Sequence, residues 1–225
     1  MDTANDYRIL VAEKAVALLD RRIRQWGMPW PVNKQRALTL VDEARKMLLK
    51  AKYSFLPSRD LAESEEIRRV AENAKSLASM IIPEMLPKLD GSRRMAFAEM
   101  RWALSILAGL PARILLGDAN HPEYAVDVVG VEVTRVERLE GSDNLYVTRA
   151  SAGKAAFTIV TNLADVKPGQ VRAAAILPPV EFHSVISEAM YSSDPIDPAY
   201  VGRRVPRRLL HPDLRAAVIR LVSGR

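Results

Sequence analysis

The sequence predicts an α+β chain: an N-terminal helical bundle, a small five-stranded β-barrel and a terminal helix. Three observations predict it. Apolar residues recur at spacings of three and four through the first half. Beyond residue 120 the composition turns β-branched and alternates. Pro212 then opens one last amphipathic stretch. With 225 residues, 48% of them hydrophobic, the chain can bury more than one small core.

Each element has its own signal. After Thr3, the residues Ile9, Ala12, Val16, Leu19, Ile23 and Trp26 line one helical face, and Gly27-Met28-Pro29-Trp30-Pro31 stops it. Asn33 caps a second helix with Ala37, Leu40, Val41, Ala44 and Leu48 inward. Ser64-Glu65-Glu66 opens a third, carrying Ile67, Val70, Ala74, Leu77 and Ile81 up to Pro83 and Pro87. Ser92 is the expected cap of a fourth, through Met95, Trp102, Leu104 and Leu107 to Pro111. Gly117-Asp118-Ala119-Asn120-His121-Pro122 marks a boundary. Strands are then expected at 126–136, 145–150, 156–161, 171–177 and 189–192. Lys167-Pro168-Gly169-Gln170 is a turn in which proline fixes one central φ and glycine supplies a positive one. Short strands with such turns suit a Greek-key barrel. The expected domains are 1–120 (helical), 121–193 (barrel) and 194–225 (a basic tail with a short helix).

Composition narrows the function. There is no cysteine, so disulfides and thiolate metal sites are excluded. The three histidines, His121, His183 and His211, are scattered and show no metal-ligand spacing. No Gly-rich phosphate loop or Gly-x-Ser-x-Gly elbow is present. The expectation is a protein that is not an enzyme and needs neither metal nor cofactor. No apolar run approaches the roughly 20 residues that span a bilayer, and the N-terminus has no signal-peptide pattern. A cytoplasmic protein without membrane association is expected. The absence of cysteine and the abundance of charge also suit a thermophile.

Net charge is +6, which favours polyanionic partners. The excess is uneven. Residues 124–193 hold six basic and eight acidic side chains, whereas the segments before and after are each basic. Arg203, Arg204, Arg207 and Arg208 form the densest cluster.

Three blocks sharpen this reading: Gly141-Ser142-Asp143-Asn144-Leu145-Tyr146-Val147, Phe157-Thr158-Ile159-Val160-Thr161-Asn162, and Ser187-Glu188-Ala189-Met190, reached through Leu177-Pro178-Pro179. Together they resemble the tRNA-binding OB-fold domain, which is appended to methionyl-tRNA synthetases and also occurs in stand-alone tRNA-binding proteins. The resemblance covers about a third of the chain. It implies an OB-fold barrel and a non-catalytic tRNA-binding protein that assists an aminoacyl-tRNA synthetase in trans. The family closes on Ser-x-Gly-Met. Ser187 and Met190 match, while Ala189 replaces the glycine. Glu181 stands where the family has lysine, His183 where it has arginine, Ser184 at an earlier glycine, and Asn144 at a lysine of the first block.

The resemblance implies nucleic-acid contacts at Ser187, Met190 and His183. Asn162 is the expected polar contact at a loop. Arg149, Lys154 and Arg172 are the remaining cations of the module, and Arg203, Arg204, Arg207 and Arg208 extend its field. The alternative is a protein-interaction or homodimerisation module whose barrel no longer binds RNA, an option the carboxylate of Glu181 favours.

Overall fold

The computed structural model describes residues 1–224, and they form two compact units. The first comprises Met1–Val126 with the chain from Val218 on, the second Asp127–Ala217.

The helical unit contains α1 (Tyr7–Arg24), α2 (Lys34–Lys52), α3 (Ser58–Glu63), α4 (Glu65–Ile81), α5 (Gly91–Ala108) and α6 (Leu110–Ile114). Ile9, Ala12, Val16, Leu19 and Ile23 of α1 are buried, as their spacing requires. Asp6 caps α1 by accepting from the Arg8 N–H and also pairs with the Arg8 guanidinium at 2.7 Å, both side chains being buried. That guanidinium also donates to the carbonyls of Arg113, Ile114 and Gly117, at and just beyond the end of α6. Asn33 and Ser64 cap α2 and α4 as expected. The cap of α5 is Asp90 rather than Ser92: its carboxylate accepts from the Arg93 N–H at 3.0 Å, a stronger acceptor than a serine hydroxyl. Pro111 does not end α5. Gly109 does, and Pro111 sits in the first turn of α6, where its missing N–H costs nothing.

Just beyond α2, Phe55 adopts φ of 54°. The left-handed conformation past a helix end normally falls to glycine, and a side chain there costs roughly 1–2 kcal/mol. Thr3 holds the turn, its hydroxyl donating to the Lys52 carbonyl at 2.7 Å and accepting from the Phe55 N–H at 3.1 Å.

The second unit is a barrel of β1 (Val128–Arg138), β2 (Tyr146–Ser151), β3 (Ala156–Thr161), β4 (Val171–Ala175), β5 (Val180–Phe182), β6 (Val185–Ser187) and β7 (Met190–Tyr191). The main sheet is antiparallel in the order β3-β2-β1-β4-β7, and β5-β6 form a separate hairpin. The long β1 pairs with β4 through its first half and with β2 through its second. A bulge between Val133 and Arg135 bends it between the two partners, which curls the sheet. Val131, Val133, Ala150, Ile159, Val166, Ala174, Ala189 and Tyr191 fill the interior.

Closure of the barrel depends on side chains. The Glu188 N–H donates to the Thr158 carbonyl at 2.9 Å, while the Glu188 carboxylate accepts from the Thr158 N–H at 3.2 Å. The Ser187 hydroxyl accepts from the Val160 N–H at 3.0 Å. These three bonds satisfy the outer edge of β3, which would otherwise carry unpaired amides.

The segment after β7 is hydrogen-bonded to the barrel. Ile196 N–H donates to Val171, Gly130 N–H to Arg203, Gly202 N–H to Gly130 and Val205 N–H to Val128. Gly130 is required here, since a Cβ would lie 2.2 Å from the Tyr200 carbonyl oxygen. A final helix, α7, runs Pro212–Ser223 and begins at the expected proline.

Candidate functional site

A groove of about 430 Å³ opens on the barrel beside the closing seam. Leu145, Val160 and Asn162 line it, together with Val180 and Phe182 of β5, with Ser187, Met190 and Tyr191, and with His211 and Asp213. Three of the residues singled out in the sequence, Asn162, Ser187 and Met190, are thus brought together although they lie up to 28 positions apart.

Their roles differ. Ser187 is only 6% exposed. Its hydroxyl accepts from Val160 N–H and donates to the Ala189 carbonyl at 3.0 Å, so it is committed to the barrel backbone. Met190 is partly buried and offers its thioether to the groove. Asn162 is exposed just past β3, and its amide has no hydrogen-bond partner among the described residues. Both its donor and its acceptor face solvent, which is what reading a base edge or a ribose requires. Ala189, in the place of the family's glycine, is buried in the core, where a methyl group is accommodated.

The cations divide. Arg149 points outward from β2 and donates to the Thr158 hydroxyl across the strand pair at 2.7 Å. Thr158 and Val160 share the outer face of β3, so Arg149 lies about 7 Å along the strand from the groove wall. Lys154 is exposed in the β2–β3 turn. Arg172 departs from the expectation of a phosphate partner. It is 1% exposed, its guanidinium pairs with Asp165, and it donates to Gln170 and to the Ser193 carbonyl. The pairing holds the Asp165 carboxyl below its usual range. A cation on β4 fits this position because its guanidinium meets the surface carboxylate of Asp165 while Gln170 and the Ser193 carbonyl accept its other N–H groups.

Arg203 and Arg204 are exposed on the segment bonded to β1, with Arg204 3.9 Å from Asp127. Arg207 and Arg208 are exposed on a single 3-10 turn, Arg207–Leu209. His183 and Ser184 form the two-residue turn of the β5–β6 hairpin, both at positive φ. Gly141 lies under the His183 ring, with Nδ1 3.4 Å from where a Cβ would be. Glu181 alternates with Val180 and Phe182 on β5, so its carboxylate points to the face opposite the groove.

Phe182, Leu145 and Tyr191 were not singled out in the sequence as lining a site. Tyr191 is buried and hydrogen-bonded to Thr148 at 2.8 Å. The signal for Phe182 is its alternation with Val180 ahead of a turn. It is faint because His183-Ser184 replaces the glycine-containing pair such turns prefer. Among the described residues no cluster of histidine and carboxylate side chains has metal-binding geometry, and no helix is long and apolar enough to cross a membrane.

Comparison with known proteins places the helical half. A family model described as "Alpha helical domain" matches residues 1–117. No curated protein matches the chain. Among solved structures, the chain is similar to a MetRS related protein from Pyrococcus horikoshii at 23% identity, over 37% of this chain and 92% of that one, with a TM-score of 0.34. A likeness of that size carries no inference to this chain.

Proposed function

The chain belongs to the family described as the alpha helical domain, and for the barrel that follows that domain we propose a tRNA-binding role without catalysis. The observation that carries it is the groove. It sets an unengaged amide, Asn162, beside an aromatic ring, Phe182, and a thioether, Met190, with the cation Arg149 on the adjoining face. Unpaired bases need flat or soft apolar surfaces, a hydrogen-bonding edge and nearby positive charge. Lys154, His183, Arg203, Arg204, Arg207 and Arg208 supply exposed charge or hydrogen-bonding capacity around the same unit. Ser187 acts neither as a nucleophile nor as an RNA contact in this reading, because its hydroxyl is already engaged by two backbone groups. In this reading the protein presents tRNA to an aminoacyl-tRNA synthetase in trans, in the cytoplasm.

A second reading, a docking site for a protein partner or for a second copy of the chain, is favoured by one observation. Val180, on the groove wall, is 51% exposed and the walls around it are largely apolar. Titration of the chain with labelled tRNA at several salt concentrations separates the two. Tight binding that falls by orders of magnitude between low and physiological salt is expected, and Asn162→Ala should weaken it roughly tenfold. No binding at low salt would hand the groove to the protein partner.

A further inference from the structure

A second surface lies wholly within the helical unit. Leu49 and Tyr53 stand one turn apart at the end of α2, 55% and 59% exposed, and Phe55 follows at 58%. Core packing does not account for three large apolar side chains left so far in water. Phe55 is the most telling. Glycine would take its left-handed φ without steric cost, and a ring more than half in solvent recovers little by burial. Strain retained at an exposed aromatic points to a role outside the fold.

The surrounding sequence is mostly basic. Between Lys34 and Arg59 the chain carries seven basic and two acidic residues. Lys46 pairs with Asp42, Arg45 with Asp20 and Asp42, and Lys52 with Glu13. Lys50, within one turn of Tyr53, takes part in no ion pair among the described residues and is exposed. Two exposed ring faces beside an uncompensated ammonium group match what a flexible nucleic-acid strand presents: bases that stack and phosphates that need a cation.

We propose that the end of α2 and the turn after it dock an unpaired stretch of RNA, with Tyr53 and Phe55 as stacking faces and Lys50 as a phosphate contact. This rests on observations separate from the groove.

The test uses the full chain and a fluorescent, mixed-sequence single-stranded oligoribonucleotide of about 12 nucleotides, with a duplex of equal length alongside. Tyr53→Ala and Phe55→Gly should each weaken single-strand binding by roughly tenfold, with little change for the duplex. Lys50→Gln should lower the salt slope by about 0.7. Phe55→Gly should also hold or raise the thermal midpoint, because it relieves the strained φ; a merely structural phenylalanine would instead lower it. Unchanged single-strand affinity in both aromatic variants overturns the proposal. So does a change in self-association without a change in RNA affinity, which would assign the surface to a second copy of the chain. Asn162→Ala serves as the parallel control. A loss there with none at Tyr53 and Phe55 overturns this surface and leaves the barrel reading standing, and the reverse result does the opposite.

Discussion

Ser187 has one hydroxyl, used once as acceptor and once as donor within the barrel. Ser187→Ala leaves the buried Val160 N–H without its acceptor and should cost about 1–3 kcal/mol, read as a lower urea midpoint with an unchanged slope. RNA affinity measured well below the unfolding midpoint should not change, since the serine works on the fold. Tyr191 offers a test by pH. The Thr148 hydroxyl donates to the Ile159 carbonyl, so in their 2.8 Å contact the Tyr191 phenol is the donor. Burial pushes that phenol above its ordinary value near 10, partly offset by its hydrogen bond with Thr148 and then by the positive field of Arg172. The folded state therefore holds the proton more tightly than the unfolded chain. That stability is fully present below about pH 10 and is lost as pH rises beyond it. Tyr191→Phe should flatten the fall in melting temperature above pH 10.

Among the elements, β1 bears the most. It pairs with β4 and β2 in turn and takes the 201–205 segment along its first half. Gly130 lies under that segment, so Gly130→Ala must push it away and should cost about 3 kcal/mol, measurable by thermal unfolding. Helix positions were legible in the sequence wherever an apolar stripe and a cap coincide, as at Asn33 and Ser64. The cap of α5 was not, because Asp90 and Ser92 are both residue types that cap helices and they stand only two positions apart. The short α3 was missed because six residues hold too few turns to show a period. The four longer strands were legible from alternation and turn chemistry. β5 and β6 were not, since three-residue strands carry no periodic signal and their turn lacks glycine.

At the scale of the molecule, charge separates from shape. The basic excess lies outside residues 127–193, while the groove of the barrel is mostly apolar. Which residues gather at the groove was partly legible: Asn162, Ser187 and Met190, singled out in separate blocks, line it together. Which way they face was not. Ser187 turns inward to the backbone, Arg172 is buried against Asp165, and Glu181 points away from the groove. Side-chain direction on a strand follows register, and register is fixed by pairings between residues far apart in sequence. The stitching of β3 to the 187–188 turn has a consequence for how the barrel breathes. A ladder of main-chain bonds opens cooperatively, but a join held by one hydroxyl, one carboxylate and one amide can part without disturbing the other strands. Deuterium uptake at the Thr158 and Val160 amides should run ahead of that along β1 and quicken further in Glu188→Gln, making the mouth of the groove the first part of the cylinder to loosen.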